Sequence, residues 1–193
     1  MKKPFVISIN SVSGGGKTEL ATALHKSLPD SSLFRFDDFD DSNIYPVDFY
    51  DWSRRGGDIE EFDSPGMQVA VQAEIHRGTV KQIILDFPLG RRHSCFCDTI
   101  DLAVFIDTPL DVAMARRILR DYTINRDESP KETLNRLHND MTRYLTRARY
   151  PYLDTYKDKA HSDLVLDGCR SLDDLKNDVI AVLKSRHLVT AVT

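Results

Sequence analysis

The feature that most constrains the fold is the stretch from Ser11 to Thr18, which reads Ser-Val-Ser-Gly-Gly-Gly-Lys-Thr. An apolar run over residues 5–9, typical of a buried strand, comes directly before it. Residues 19–26 follow it with apolar side chains at helical spacing. A strand, a glycine-rich turn, a Lys-Thr pair and a helix form the context that a phosphate-binding loop requires. The sequence therefore predicts such a loop between the first strand and the first helix.

The chemistry of phosphate binding predicts a role for each residue of this loop. Glycine adopts the angles that turn consecutive N–H groups towards a phosphate, and the following helix N-terminus adds partial positive charge. We predict that Lys17 contacts the β- and γ-phosphates of ATP and that the Thr18 hydroxyl holds Mg²⁺. The usual pattern begins with Gly where this chain has Ser11, and the alternative is a turn that binds no ligand. The predicted ATP-binding residues here are Ser13, Gly14, Gly15, Gly16, Lys17, Thr18 and Glu19.

Composition limits the partners and the domain organisation. The 193 residues and 41% hydrophobic content predict a single domain over residues 1–193, as a monomer or a homodimer. A net charge of −4 provides no basic surface, so we expect no nucleic-acid partner. No apolar run approaches the roughly 18 residues of a membrane span, so we expect no membrane partner. Three cysteines without a framework spacing indicate a reduced, cytoplasmic protein.

Apolar runs alternate with helical patterns along the rest of the chain. This alternation predicts the α/β class, with a five-stranded parallel sheet and helices on both faces in a three-layer α/β/α sandwich. Residues 42–63 have little periodicity and are predicted as loops with room for one short helix. Pro151 is expected to kink or end a long helix that starts after Ser129. The predicted strands cover residues 5–9, 33–36, 80–86, 102–107 and 163–167.

Carboxylates follow three of the predicted strands, at the edge where open α/β sheets bind ligands. Asp107 is one of them. Asp86 ends an apolar strand, so we predict a Mg²⁺ ligand, and the alternative is an aspartate that caps the following turn. Asp37 and Asp38 suit a general base for an acceptor hydroxyl, with a second carboxylate that binds Mg²⁺ or orients the acceptor. The alternative for this pair is an ordinary acidic loop.

Basic and aromatic side chains provide further candidates. Arg116, Arg117 and Arg120 lie on one predicted helix, where they suit neutralisation of a transferring phosphoryl group. The alternative is a solvated basic face. A group of aromatic side chains either stacks on a planar acceptor or closes a small core, and the sequence leaves both open. These residues are Tyr45, Phe49, Tyr50 and Trp52.

Two further clusters have a weaker claim to function. Arg143, Arg147 and Arg149 are consistent with a simple surface. Residues 93–97 include one histidine and two cysteines, but no partner set elsewhere has zinc spacing, so we predict buried or idle thiols.

These motifs, taken in order, resemble those of a known family. The chain is similar to the uridine kinase and nicotinamide riboside kinase group of P-loop kinases, to which phosphoribulokinase and pantothenate kinase are more distantly related. The resemblance spans roughly residues 5–167 and includes the phosphate loop and Asp-Asp-Phe at 37–39. It also includes Phe-Asp-Ser-Pro at 62–65 and the run from Phe105 to Asp121. It implies a P-loop NTPase fold with a small helical lid.

The resemblance also implies roles for matched residues. Asp37 is implied as the catalytic base and Asp63 as a contact to the acceptor's sugar hydroxyls. The arginine-bearing helix is implied to belong to a lid at about residues 116–130, and the acceptor-binding insertion covers about residues 38–66. The chain departs from the family at the third strand, where Asp86 stands in place of the usual Glu.

We therefore predict an ATP- and Mg²⁺-dependent kinase that phosphorylates a hydroxyl of a small molecule, most simply a nucleoside-like acceptor of the uridine, cytidine or nicotinamide riboside type. The alternatives are a nucleoside-monophosphate kinase, another metabolite or drug kinase, and a nucleotide-dependent switch with slow ATPase activity. The chain has no Asn-Lys-x-Asp guanine motif, which argues against a GTP switch. The predicted site residues are Asp37, Lys17, Arg116 and Arg120 for catalysis, Arg117 in addition for ATP, Asp38, Asp63, Tyr45 and Arg91 for the acceptor, and Thr18, Asp37 and Asp86 for the metal.

Overall fold

The structure, a computed structural model, describes residues 3–124 and 128–188. Five parallel strands form one sheet in the order β2-β3-β1-β4-β5. Because all strands run the same way, their carboxyl ends meet at one edge, where the candidate carboxylates lie. The strands are β1 Phe5–Asn10, β2 Ser31–Arg35, β3 Gln82–Asp86, β4 Leu102–Asp107 and β5 Leu164–Asp167.

Helices cover both faces of this sheet. Alternate residues of β1 belong to separate cores, since Ile7 packs with α1 and α7 whereas Val6 packs with α3. Both cores are fully buried around these strands, which confirms the predicted α/β class and three-layer sandwich. The helices are α1 Lys17–Ser27, α2 Phe49–Arg54, α3 Pro65–Arg77, α4 Leu110–Tyr122, α5 Pro130–Arg143, α6 Arg149–Thr155 and α7 Leu172–Ser185.

The segment between β2 and α3 is more helical than its weak periodicity predicts. It contains α2 and two 3-10 turns, Phe36–Ser42 and Ile59–Glu61. Aspartates start two of these turns: the Asp48 carboxylate accepts hydrogen bonds from two N–H groups of α2, and the Asp58 carboxylate accepts one from Glu60. Local capping therefore forms short helices that a periodicity argument does not detect.

The long helix predicted after Ser129 continues past Pro151. Between α5 and α6 lies a π-helical segment, Tyr144–Ala148, and Pro151 lies in the first turn of α6. A proline has no N–H to donate to the preceding turn, and a widened turn before it is a common accommodation. The predicted effect of Pro151 is therefore a local change from α-helical to π-helical geometry just before it.

The predicted lid lies only partly within the described residues. It includes the end of α4 and the start of α5, and residues 125–127 lie outside the described part of the chain. Among the described helices, none combines the length and the apolar character that crossing a bilayer needs.

Candidate active site

The predicted phosphate loop joins β1 to α1 at the carboxyl edge of the sheet. Gly14 and Gly16 have positive φ angles of 82° and 102°, which residues with a Cβ rarely adopt. A Cβ at Gly14 would lie 2.4 Å from the Ala113 carbonyl oxygen, so α4 also requires glycine there. Gly16 starts α1 without any side-chain cap, which leaves the first N–H groups of the helix available to an anion.

Two buried hydroxyls fasten this loop to the end of β4. The Ser11 hydroxyl donates to the Ile106 carbonyl at 2.9 Å, and the Thr108 hydroxyl donates to the Gly15 carbonyl at 2.9 Å. The Ser11 hydroxyl also occupies the space that a Cβ at Gly15 would need, since the two would be 1.8 Å apart. The departure from the usual glycine at Ser11 thus leaves the loop closed and adds a tether.

Thr18 and Asp86 meet beside the loop. The Thr18 hydroxyl donates to the Asp86 carboxylate at 2.7 Å. Burial raises the pKa of Asp86 above its usual value, whereas the charge of Lys17 and the Thr18 hydrogen bond act to lower that pKa. A hydroxyl and a carboxylate next to a phosphate-binding loop are the oxygen ligands that Mg²⁺ takes together with phosphates and water, so these residues fit that ion. Within residues 3–124 and 128–188, no group of three or more His, Cys, Asp or Glu residues forms an all-protein metal site.

A cleft of about 930 Å³ runs from the loop into the segment between β2 and α3. Ser13, Lys17 and Asp37 line its phosphate end. Asp37 is the second residue of the 3-10 turn after β2 and is exposed at the cleft. Asp38 is absent from the described lining and forms an ion pair with Arg35 at 3.8 Å. The structure therefore brings Asp37, but not Asp38, to the cleft.

The three arginines of α4 have different surroundings. Arg117 lines the cleft, lies 5.2 Å from the centre of the Tyr152 ring and donates to the Tyr152 hydroxyl. Its Nε is buried and has no hydrogen-bond partner among the described residues. Arg116 donates to the Gly168 carbonyl at 3.0 Å, and Arg120 pairs with Asp121 at 2.8 Å. Arg116 and Arg120 share a helix face, and that face is not the one that reaches the cleft.

Aromatic side chains form the other end of the cleft, which we call the aromatic half. Tyr45 and Phe49 are 37% and 43% exposed there. Trp52 is 4% exposed and donates its indole N–H to the Asp58 carbonyl at 2.6 Å, so it belongs to the core. The sequence left core packing and ligand stacking both open, and the structure shows core packing for Trp52 and cleft lining for the outer rings. The aromatic half comprises Phe36, Tyr45, Phe49, Trp52 and Phe62.

Two predicted acceptor contacts do not reach this cleft. The Asp63 carboxylate accepts from the Ser64 backbone N–H at 2.7 Å and from the Gln68 amide at 2.6 Å, at the start of α3. Arg91 forms a two-pronged ion pair with Asp163 at 2.9 and 2.7 Å. Neither residue belongs to the cleft lining within the described chain. In this structure local partners engage each side chain, and the acceptor-binding roles of both residues stay predictions.

The structure also shows the surroundings of two further predicted residues, Tyr45 and Glu19. Tyr45 lines the cleft and donates its hydroxyl to Asp40 at 2.5 Å. Burial, followed by this bond, raises the pKa of Tyr45 above its usual value. Glu19 is exposed on the first turn of α1, beside a small hollow that Thr18 and Lys26 also line.

Several cleft residues were missed by sequence reasoning. Arg143 and Arg147, interpreted as simple surface, line the cleft, and Arg147 pairs with Asp48 at 2.6 Å. Arg92 and Asp158 line it as an ion pair in which the carboxylate is buried and the guanidinium is partly exposed. Burial raises the pKa of Asp158, and the neighbouring Arg92 charge opposes that rise. Arg143 and Arg147 are four residues apart, a spacing that indicates a shared helix face and could have suggested a common role. Arg92 and Asp158 are 66 residues apart, so no local sequence pattern predicts that they pair.

No family model and no curated protein matches the chain. A solved structure of the Deinococcus radiodurans tunicamycin resistance protein is similar, with a TM-score of 0.52 and 17% identity over 94% of this chain and 96% of that one. The chain has the P-loop NTPase fold. A deoxyadenosine kinase from M. mycoides with bound dCTP has a TM-score of 0.46 and 15% identity over 94% of this chain and 100% of that one. Shikimate kinase from Aquifex aeolicus has a TM-score of 0.47 and 11% identity over 96% of this chain and 100% of that one. These likenesses concern the fold, and the reaction has to be argued from the site.

Proposed function

We propose that this chain is an ATP-dependent kinase that transfers the γ-phosphoryl group to a hydroxyl of a small, nucleoside-like molecule. One observation carries the proposal: Lys17 of the phosphate loop and the carboxylate of Asp37 line a single cleft that continues into the aromatic half. A donor triphosphate, a proton acceptor and a chamber for a second molecule are the three parts that phosphoryl transfer to an alcohol needs.

Each part has an assigned group. The N–H groups of the loop and Lys17 bind the phosphates, and Mg²⁺, which would be held by Thr18 and Asp86, supplies further neutralisation of their charge. Asp37 accepts the proton of the acceptor hydroxyl. Arg117, the α4 arginine that lines the cleft, takes the role predicted for Arg116 and Arg120.

The aromatic half supports the assignment of a ring-bearing acceptor. Tyr45 and Phe49 expose ring surface to the cleft, and Phe62 packs edge-on against Tyr45 with 6.2 Å between ring centres. Stacking of a planar group on an exposed aromatic ring is favourable, because it removes apolar surface from water. This favours the uridine, cytidine or nicotinamide riboside type over sugars alone.

The proposal is tested by ATP consumption against a panel of nucleosides, nucleoside monophosphates, vitamins and sugars. We expect at least one nucleoside-like alcohol to raise the rate of ATP consumption and to appear as its phosphate ester. Phosphorylation of monophosphates alone would replace the nucleoside assignment with a nucleoside-monophosphate kinase. Slow ATP hydrolysis that no acceptor accelerates would support a nucleotide-dependent switch instead.

A further inference from the structure

Arg92 offers unused hydrogen-bond donors to the cleft. It ends the 3-10 turn Gly90–Arg92 after β3, lines the cleft, and has a side chain that is 16% exposed. Within the described chain only its Nε donates to the protein, to the carboxylate of Asp158. A guanidinium carries five N–H groups, so those on its two terminal nitrogens remain for a ligand or water.

The side chain of Arg92 is held by a buried network. Asp158 is 2% exposed, and its second oxygen accepts from the Asn10 amide at 2.7 Å. Gly90 has a positive φ of 60°, and a Cβ there would lie 2.8 Å from the Asn10 amide nitrogen. The turn is therefore packed directly onto Asn10, which limits the positions that Arg92 can take.

The residues on either side of Arg92 are held by other parts of the structure, one of them by the aromatic half of the cleft. His93, the next residue, contacts the Phe62 carbonyl through its Nε2 at 2.8 Å. Arg91, the preceding residue, has its terminal nitrogens engaged by Asp163 and by the Ile100 carbonyl. Of two consecutive arginines, Arg91 thus joins structural elements and Arg92 keeps free donors in the cleft lining.

The local charge at Arg92 favours an uncharged partner for these donors. The Asp158 carboxylate already neutralises the Arg92 guanidinium. An anionic group would therefore gain little net attraction at Arg92, in contrast to the phosphate end of the cleft, where Lys17 has no ion pair within the described chain. The lone pairs of a carbonyl oxygen fit the free guanidinium donors directly.

We propose that Arg92 is a specificity-determining residue that donates hydrogen bonds to a carbonyl group of an uncharged acceptor, with Asp158 and Asn10 as positioning residues. This inference rests on the proposed kinase function. It narrows the acceptor to alcohols whose ring or side group carries a carbonyl.

The test compares acceptors with and without a carbonyl. Uridine and cytidine are uncharged and each carry one carbonyl or more, whereas D-ribose in its ring form carries none. With saturating ATP, Arg92→Gln should raise the KM of the carbonyl-bearing acceptor about 10–100-fold, the scale of a lost hydrogen bond from a charged donor. The KM for ATP and the KM for D-ribose should stay within about twofold. Arg186→Gln, at an exposed position beside Asp101, is the matched control.

A second variant separates recognition from folding. Arg92→Gln alone leaves the buried Asp158 carboxylate unpaired, which is destabilising. The double variant Arg92→Gln with Asp158→Asn restores an uncharged hydrogen-bonded pair, and we expect it to keep the raised acceptor KM. An acceptor KM restored to the wild-type value in the double variant would show that Arg92 is structural and overturn the inference.

Two other outcomes are distinguishable. If the wild type phosphorylates only acceptors that lack a carbonyl, or if Arg92→Gln raises every acceptor KM equally, the inference fails and the kinase function stands. If the wild type binds ATP and phosphorylates no acceptor, the proposed function fails, and the inference fails with it.

Discussion

Lys17 lines the cleft and makes no hydrogen bond or ion pair within the described part of the chain. Lys17→Ala should therefore change the free energy of unfolding by no more than about 0.5 kcal/mol. It should lower acceptor phosphorylation by roughly 10²–10³-fold, the scale for one lost electrostatic donor. Lys26→Ala, on the exposed side of α1, is the matched control for urea unfolding and for turnover. Turnover near the wild-type rate in Lys17→Ala would refute the role of the loop.

Asp86 predicts a pH dependence of stability. Because burial raises its pKa in the folded state, the folded protein binds a proton more tightly than the unfolded chain does. Stability contributed by this proton is present below the unfolded pKa of about 3.9 and is lost as pH rises through the raised folded pKa. Asp86→Asn should remove this loss, so its stability relative to the wild type should grow with pH across that window. A difference in urea unfolding that does not vary with pH would contradict this prediction.

Single residues also show which parts of the site can be predicted from the sequence and which cannot. The loop residues were predictable because their chemistry depends on a short motif. The choice between Arg91 and Arg92, or between Arg116 and Arg117, depends on which way a turn or helix faces. Neighbouring arginines carry the same local signal, so only the backbone geometry separates the one at the cleft from the one bound to Asp163 or Gly168.

At the scale of elements, β4 holds the phosphate loop through Thr108. Thr108→Val keeps the shape and removes the bond to the Gly15 carbonyl, so we expect a loss of about 1–3 kcal/mol in unfolding free energy, because the carbonyl stays buried. The KM for ATP should rise because the loop is less well held. Thr108→Ser retains the hydroxyl and should keep the ATP KM within about twofold of the wild type. Equal effects of both variants on that KM would indicate that packing, rather than the hydrogen bond, holds the loop.

The elements themselves were largely predictable. Apolar runs located all five strands to within a few residues. The signal is clearest for β3 and β4, because strands buried on both faces carry a continuous apolar run. The short helices between β2 and α3 and the π segment before Pro151 were not located. Their causes are single capping side chains and a single proline, which leave no periodic pattern to detect.

At the scale of the whole molecule, the cleft is assembled from distant parts of the chain. Asn10 and Asp158 are separated by 148 positions in sequence and bond directly. Lys159 pairs with Asp107 at 2.5 Å, and Tyr156 donates to the Thr108 carbonyl, so the segment after α6 is tied to the end of β4. The phosphate end was predictable from one motif, whereas the aromatic half depends on such long-range contacts.

The kinase assignment is tested most directly by acceptor phosphorylation in Asp37→Asn, with Asp38→Asn as the matched control. Asparagine keeps the size of the side chain and removes the proton acceptor from the cleft. We predict that Asp37→Asn lowers phosphorylation of the best acceptor by roughly 10²–10⁴-fold, the range for a positioned base, with little change in ATP affinity. Asp38→Asn, whose carboxylate pairs with Arg35 outside the cleft lining, should retain most of the activity. Wild-type turnover in Asp37→Asn with a saturating acceptor would contradict base catalysis from this residue.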